Sequence, residues 1–391
     1  MEEKMEGTLI PGDNEIETHG HHWALLFFFL FAAPAWAHHF ETGLEGSSSA
    51  RLSDESAPVP KAKLRAEALR EATRKCHELL GKEAAVTARE ELKISDSPVK
   101  AGRLVHGHLQ VSCHLESKEP ESVLRALALK LGGELGLQAA EILKGEGENC
   151  AVALIWATKK GNAVAKTRAL ELMAQLHLST KEVVAAVLQR LTDSEEDVQN
   201  EAAQTLKEIK AKPEETLDTL IKLLSAANGR TRYLAGWLIE TYGLAASKAK
   251  DALLQIYEKF PLEWSEFDRV IMAIGGVDEK DLPRLLNLIK KDMHSFAKGS
   301  IIRLLIGFGS KANSAVPDLF KIIQRKKLDT FFSDFDEAIK ALGALGPVQD
   351  EKINALVLER LKEIAKNSDD EYPPYVIEAA EQSIKDLEID Q

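Results

Sequence analysis

The sequence is poor in the residues and motifs with which enzymes do chemistry. Its 391 residues include three cysteines and eleven histidines. A Gly-x-Ser-x-Gly turn, a Gly-x-x-x-x-Gly-Lys phosphate loop, a His-Glu-x-x-His zinc motif and a Cys-x-x-Cys pair are all missing. His177 and His294 stand near predicted helix ends, where we interpret them as surface or capping residues. We therefore predict a protein that is not an enzyme and has no cofactor or metal.

An excess of basic residues is missing as well. Lysine and arginine together number 50, against 62 aspartates and glutamates, so the formal net charge is −12 at pH 7. Proteins bind the phosphate backbone of nucleic acids mainly through clustered lysines and arginines. We therefore expect no nucleic-acid partner.

Long apolar runs are missing, apart from Trp23–Ala37 near the N-terminus. The unbroken part of this run ends before Pro34, which is too short for a bilayer core that needs about 20 residues. It closes on Ala35-Trp36-Ala37, the small-x-small pattern that signal peptidase requires. We predict that residues 1–37 are a signal peptide and that the protein is exported to the periplasm or cell envelope.

The residues before this run do not fit a signal peptide, because they hold six acidic side chains and one base, Lys4. A translation start near Thr18 would remove the conflict. Two alternatives stay open. Residues 23–37 could be a retained membrane anchor, which would be the chain's contact with a membrane, or they could be a buried apolar strand.

A polar stretch with several serines and prolines, Ser47–Pro60, follows the apolar run. Such a composition cannot bury enough apolar surface to order a chain, so we predict a disordered linker over residues 38–60. A small α-β-β-α domain is predicted after it, over residues 61–145.

The helices and strands of this domain are predicted from apolar spacing. Helical spacing extends from Lys61 to Leu80, and strict alternation from Leu104 to Leu115 is typical of a half-buried strand. A shorter partner strand is expected at Leu92–Ile94, and a second helix at Glu119–Leu131.

Cys76 and Cys113 both lie on apolar faces of this domain, on elements expected to pack together. In an oxidising compartment they could form a disulfide, and two buried free thiols are the alternative. Cys150 is left over, and we expect it to be free or to pair between chains. His106 and His108 could chelate a metal with a third ligand, but we interpret them as part of a solvated polar strand face.

The most informative pattern is a spacing of about 33 residues in the rest of the chain. Gly243, Gly276 and Gly309 follow this spacing, and so do Ala169, Ala202 and Ala235. A repeat of this length marks a solenoid, in which each helix hairpin buries its apolar face against its neighbours. We predict a mainly α protein in which residues 146–391 form an α-solenoid. It would have six helix pairs and a last pair, from Gly346-Pro347 onward, that serves as a C-terminal cap.

Three stretches resemble the junction between bacterial HEAT repeats, the type also seen in phycobilin lyase-like proteins. They are Ile306–Leu319, Leu342–Pro347 and Tyr242–Leu253. The resemblance covers about residues 150–390 and implies second helices that line a concave groove. It also implies a ladder of acids and bases between repeats, for which Asp197 and Arg232 are the matching residues. The motifs of tetratricopeptide and ankyrin repeats are missing.

Tyrosine, tryptophan and arginine on the second helices indicate where a partner would bind, since these residue types dominate interface energetics. The predicted partner-binding residues are Arg230, Arg232, Tyr233, Trp237, Trp264 and Arg269. Trp237 could instead belong to the core. We interpret the protein as an exported, non-enzymatic scaffold or adaptor that binds a protein partner on the concave face. One alternative is an accessory or lyase-type protein resembling phycobilin lyases, with a small molecule in the groove. Nucleic-acid binding is a third hypothesis with less support.

Overall fold

The computed structural model describes residues 38–52, 59–88, 92–99, 102–262, 267–325, 333–366 and 372–389. His38–Gln391 forms one compact unit. The predicted signal peptide, residues 1–37, lies outside the described residues. Within the described ranges, no helix is both long and apolar enough to cross a membrane.

An antiparallel sheet forms the N-terminal part of this unit. Its four strands in the described residues are β1 (His38–Leu52), β2 (Ala85–Ala88), β3 (Lys93–Val99) and β4 (Gly102–Ser117). β4 is the central strand: β1 pairs with it on one side, and β2 and β3 pair with it on the other. The long strand predicted from the alternation at Leu104–Leu115 is thereby confirmed.

The prediction of a disordered linker over residues 38–60 is wrong for His38–Leu52, which forms β1. Although this stretch is mostly polar, two apolar side chains, Phe40 and Leu44, lie on one strand face and are both buried. The backbone of β1, including its polar residues, is hydrogen-bonded to β4. The register extends from His38 opposite Ser117 to Leu52 opposite Arg103. The N-terminal part is therefore not an α-β-β-α unit, because it begins with a strand and contains two short strands rather than one.

Helix α1 (Lys61–Leu80) packs against β1 and β4 and confirms the predicted helix. It buries Leu64, Ala68, Ala72 and Cys76. Cys76 is joined to Cys113 of β4 by a disulfide, with the two Cα atoms 5.7 Å apart.

Two side chains of α1 also shield the outer edge of β1. The Glu71 carboxylate accepts hydrogen bonds from the backbone N–H and the hydroxyl of Ser47, at 2.6 and 2.9 Å. Lys75 donates to the carbonyl oxygen of Glu45 at 3.1 Å. Edge strands with unpaired backbone groups recruit further strands, so these contacts protect the middle of the sheet edge.

A helix hairpin joins the sheet to the repeats. It consists of α2 (Pro120–Lys130) and α3 (Gly136–Gly145). The hairpin stacks on the first predicted repeat, and Arg168 of that repeat donates to the carbonyl oxygen of Leu131 at 2.6 Å. The array therefore begins one hairpin before the boundary predicted at residue 146. The pattern on which that boundary rested starts at Ala169, after this hairpin.

Seven helix pairs follow within the described residues, and they confirm the predicted α-solenoid. They are α4 (Ala151–Lys160) with α5 (Ala163–Gln175), α6 (Lys181–Arg190) with α7 (Glu196–Glu208), α8 (Pro213–Leu223) with α9 (Gly229–Thr241), α10 (Lys250–Lys259) with α11 (Asp268–Ala273), α12 (Leu282–Leu288) with α13 (Ser295–Ile306), α14 (Val316–Ile323) with α15 (Ser333–Leu345), and α16 (Glu351–Ala365) with α17 (Pro374–Ile389). Consecutive second helices, α5 to α17 in odd numbers, pack side by side. We call them the second-helix layer.

The glycines spaced by 33 residues end second helices in a left-handed conformation. Gly243 and Gly309 have φ values of +53° and +51°, and Gly276 has +74°. Glycine adopts this left-handed backbone conformation at little cost in free energy, whereas residues with a Cβ atom are strained in it. Gly243 and Gly309 each begin a 3-10 turn that leads into the next first helix.

Candidate interaction surface

Helix α9 carries four of the six predicted partner-binding residues. Asn228 caps this helix by accepting a hydrogen bond from the backbone N–H of Arg230 at 2.8 Å. Tyr233 is 61% exposed. Trp237, one turn further on, is half-buried and packs against the core. The ammonium of Lys207, on α7, lies 5.0 Å from the centroid of the Trp237 ring, within the range of a cation–π interaction.

Arg232 does not belong to this surface. Its side chain is buried, and its guanidinium donates to the carbonyl oxygens of Ala226 and Ala227. The same group lies 3.9 Å from the ring centroid of Phe260. Burial lowers the pKa of Arg232. The prediction that Arg232 contacts a partner is wrong, because this position faces the loop before α9 and the end of α10 rather than solvent.

Arg230 and Arg269 each bridge two neighbouring helices of the layer. Arg230 pairs with Glu196 at 3.1 Å and donates to Asn200 at 2.8 Å, both on α7. Arg269, on α11, contacts the carboxylate of Glu240 on α9 at 2.9 and 3.1 Å. The side chain of Arg269 is 73% exposed. Both guanidiniums are thus held in place while they still reach solvent.

Trp264, another predicted partner-binding residue, lies outside the described residues. Two exposed apolar residues on this surface were not among the predicted partner-binding residues. Leu244 and Met272 are 73% and 60% exposed, and they flank the Gly275-Gly276 turn that follows α11. The sequence did contain a signal for Met272. It stands three residues after Arg269, and residues at that spacing share a helix face.

Glu201, on α7, is a half-buried carboxyl on this layer. Burial raises its pKa, and the carboxylates of Glu171 on α5 and Glu208 on α7 raise it further, to about 7. Among the described residues, the side chain of Glu201 makes no hydrogen bond or ion pair.

Other buried acids in the repeats have basic partners. The closest contacts are Lys166–Asp193 at 2.8 Å, Arg303–Asp268 at 2.6 Å and Arg325–Asp334 at 2.6 Å. Burial acts to raise the pKa of Asp193 and Asp268, but the hydrogen bonds from their basic partners outweigh it, and both pKa values are lowered. Lys166–Asp193 and Arg303–Asp268 join successive repeats, as in the ladder that the HEAT resemblance implies, but at positions other than Asp197 and Arg232. Arg325–Asp334 lies within one helix pair.

The described residues contain no group of three or more histidines, cysteines, aspartates and glutamates placed to hold a metal ion. His108 is bound to Glu45 at 2.6 Å. His294 accepts a hydrogen bond from the backbone N–H of Phe296, which confirms its predicted role as a cap. Cys150 is free and buried, and burial raises the pKa of its thiol to about 11. A buried thiol in its protonated form is not available to pair between chains.

Comparison with protein families matches residues 151–240 to HEAT repeats. This stretch spans α4 to α9, so these helices are similar to HEAT repeats. A comparison with curated proteins found no match.

Similar solved structures include an engineered protein at 15% identity, with a TM-score of 0.34, 68% of this chain covered and 89% of the other. The karyopherin Kap121p, bound to the extreme C-terminus of the protein phosphatase Cdc14p, is 11% identical, with a TM-score of 0.40. There the match covers 68% of this chain and 33% of the karyopherin. Human deoxyhypusine hydroxylase, in complex with glycerol, is 18% identical, with a TM-score of 0.25, 69% of this chain covered and 97% of the other.

Proposed function

We propose that this protein is a non-enzymatic scaffold or adaptor that binds a protein partner on the exposed face of α7, α9 and α11. The observation that carries the proposal is the exposure of Tyr233 in the middle of α9. Arg230 lies one turn before it, and Arg269 is bound to the same helix through Glu240. Tyrosine and arginine are enriched among the residues that supply most of the binding free energy at interfaces.

The arrangement of this face favours a macromolecular partner over a small molecule. Its exposed groups are spread along three consecutive helices, which suits a helix or an extended segment laid across the layer. A lyase-type activity resembling that of phycobilin lyases is the alternative. Visible absorbance of the purified protein would support that alternative, and a colourless protein would count against it.

The proposal also places the protein outside the cytoplasm, in the periplasm or cell envelope. The apolar run ending in Ala35-Trp36-Ala37 supports export. The pairing of Cys76 with Cys113 suits an oxidising compartment, where disulfides persist. An N-terminus at His38 in the protein isolated from its host envelope would agree with cleavage, and an intact N-terminus would argue for retention of residues 1–37.

Site-specific photocrosslinking tests the binding face directly. Tyr233 is replaced by benzoylphenylalanine, and the protein is irradiated in its host extract. Tyr375 on α17, also exposed, serves as the matched control position. We expect one crosslinked protein from position 233 that is absent at 375 and reduced by Arg269→Glu. The same products at both positions, or none from a folded bait, would contradict the proposed face.

A further inference from the structure

Leu244 and Met272 form the two sides of an apolar notch at the end of α11. A methyl group on Gly275 would lie 3.4 Å from Cδ2 of Leu244, and one on Gly276 would lie 3.7 Å from Sδ of Met272. Apart from the adjoining residues of the chain, no other atom of the described residues comes within 4 Å of either position. The two glycines are therefore the floor of the notch, and the exposed leucine and methionine side chains are its walls.

The fold does not require a leucine at position 244. Gly243-Leu244 and Gly309-Ser310 occupy the same place in two repeats: each glycine follows a second helix in the left-handed conformation and begins a 3-10 turn. Ser310 is exposed, as Leu244 is. Because the same turn is also made with a polar side chain, the apolar surface of Leu244 is available for binding.

Arg269 places a positive charge beside the notch. It precedes Met272 by three residues, a spacing that puts two side chains on the same face of a helix. Its guanidinium is bonded to both carboxylate oxygens of Glu240, at 2.9 and 3.1 Å. The Arg269 side chain is 73% exposed and that of Glu240 is 24% exposed, so the guanidinium is the outer group of the pair. The pair uses two of the five N–H donors that a guanidinium carries, and Arg269 has no other bond among the described residues.

The first acidic residues after the notch already have lysine partners. Asp278 lies 2.9 Å from Lys250, and Glu279 is paired with Lys311. Arg269, by contrast, has donors to spare. Because a hydrogen bond between two charged groups is stronger than one between neutral groups, a carboxylate is the group that this arginine would bind most strongly.

We infer that the notch and Arg269 together bind a peptide segment of the protein partner that carries a large apolar side chain and a carboxylate about one helical turn apart. The apolar side chain is buried between Leu244 and Met272, and the carboxylate accepts hydrogen bonds from Arg269. This inference rests on the proposed function. It specifies the chemistry of the partner and gives it a second contact on the face that contains Tyr233.

Selection of a phage-displayed library of short random peptides against the whole protein tests the notch directly. We expect the selected peptides to share a large apolar residue and an acidic residue at that spacing. Fluorescence anisotropy then measures the affinity of these peptides for variants. Leu244→Ser, which introduces the residue found in the equivalent turn at Ser310, should weaken binding about tenfold or more, and so should Arg269→Glu. Leu137→Ser, a similarly exposed change on α3, is the matched control and should leave binding unchanged.

Two further variants separate the apolar and the charged parts of the site. Met272→Gln changes the second wall and should weaken the same peptides. Arg269→Lys keeps the charge and should bind them more tightly than Arg269→Glu does. Peptides that lack an acidic residue, or that bind Leu244→Ser as tightly as the wild type, would overturn the inference, as would a selection that yields no binder. A dimer of the purified protein that Leu244→Ser dissociates would also overturn it, because a second copy would then occupy the notch.

Photocrosslinking at position 244 separates this inference from the proposed function. With benzoylphenylalanine at position 244, we expect capture of the same protein as from position 233, and no capture of it from position 137. Capture from 233 but not from 244 would overturn the inference and leave the proposed function standing. Capture from neither position would contradict the proposed function, whereas selected peptides that lose affinity with Leu244→Ser would still uphold the notch.

Discussion

At the scale of single residues, two arginines on neighbouring helices have opposite roles. Arg232 is buried, is bonded to two backbone carbonyls and stacks on Phe260. Arg269 reaches solvent and is bound through one exposed ion pair. Composition presents them as the same kind of residue. The difference comes from which side of the helix each position faces once the repeats have stacked.

Replacing Arg232 should therefore destabilise the fold. Arg232→Met keeps much of the side-chain volume but leaves the carbonyls of Ala226 and Ala227 without their donor, a loss of about 1–3 kcal/mol. Arg269→Met is the matched control, and an exposed ion pair contributes less than about 1 kcal/mol. Urea unfolding measures both. Equal effects would mean that Arg232 does not hold this loop.

The cysteines give a second prediction at this scale. If Cys76 and Cys113 are bridged in the isolated protein, alkylation in denaturant should label Cys150 alone, and all three cysteines after reduction. The double variant Cys76→Ala/Cys113→Ala should lose about 2–5 kcal/mol of stability. Mass spectrometry counts the labels, and full labelling of all three without reductant would exclude the bridge.

At the scale of elements, some pairs of second helices approach so closely that only glycine fits between them. A methyl group on Gly343 of α15 would lie 2.8 Å from the Cα atom of Ser383 on α17. A methyl group on Gly299 of α13 would lie 2.9 Å from the carbonyl oxygen of Ser333 on α15. Backbone atoms cannot move aside as a flexible side chain can, so these glycines set the distance between helices.

Gly343→Ala should consequently push α15 and α17 apart and cost roughly 1–3 kcal/mol of stability. Gly145→Ala provides a matched control, because Gly145 ends α3 and a methyl group there meets nothing within 4 Å. That control should be neutral or stabilising by up to about 1 kcal/mol, since alanine favours helix more than glycine does. Thermal unfolding compares them, and a neutral Gly343→Ala would show that the helices can part freely.

At the scale of the whole molecule, each repeat contacts its neighbours and depends on them for burial. α15 is sandwiched between α13 and α17, and it carries the buried side chains of Phe335, Ile339 and Leu342. The last pair, α16 and α17, thus covers a face that would otherwise be open. We propose that this pair acts as the C-terminal cap expected from the sequence.

Removing residues 347–391 should therefore expose the apolar face of α15. We expect the truncated protein to aggregate, or to bind a hydrophobic dye that the full chain does not bind. Size-exclusion chromatography with light scattering distinguishes these states. A truncated protein that stays monomeric, with unchanged dye binding, would show that the last pair is not a cap.

Sequence patterns were enough to predict the structure where it depends on the local residue types. Gly243 and Gly309 were recognisable because their backbone conformation is tied to residue type. β1 was missed because its partner, β4, lies far along the chain. The burial of the Arg232 side chain was also not predictable, because it depends on how the next repeat stacks. Glu201 gave no signal, since an unpaired carboxyl is recognised by the groups around it.

Because β4 is the central strand, the sheet can form only after β4 has been synthesised. β1 leaves the ribosome first, yet its partner, β4, ends at Ser117, and β2 and β3 need the same partner. The helix hairpins, by contrast, form from contacts between near neighbours in the chain, which are quick to make. The nascent chain must therefore hold its first strand unpaired until β4 has emerged. During that interval the strand is open to chaperones, and to any other chain with a free edge.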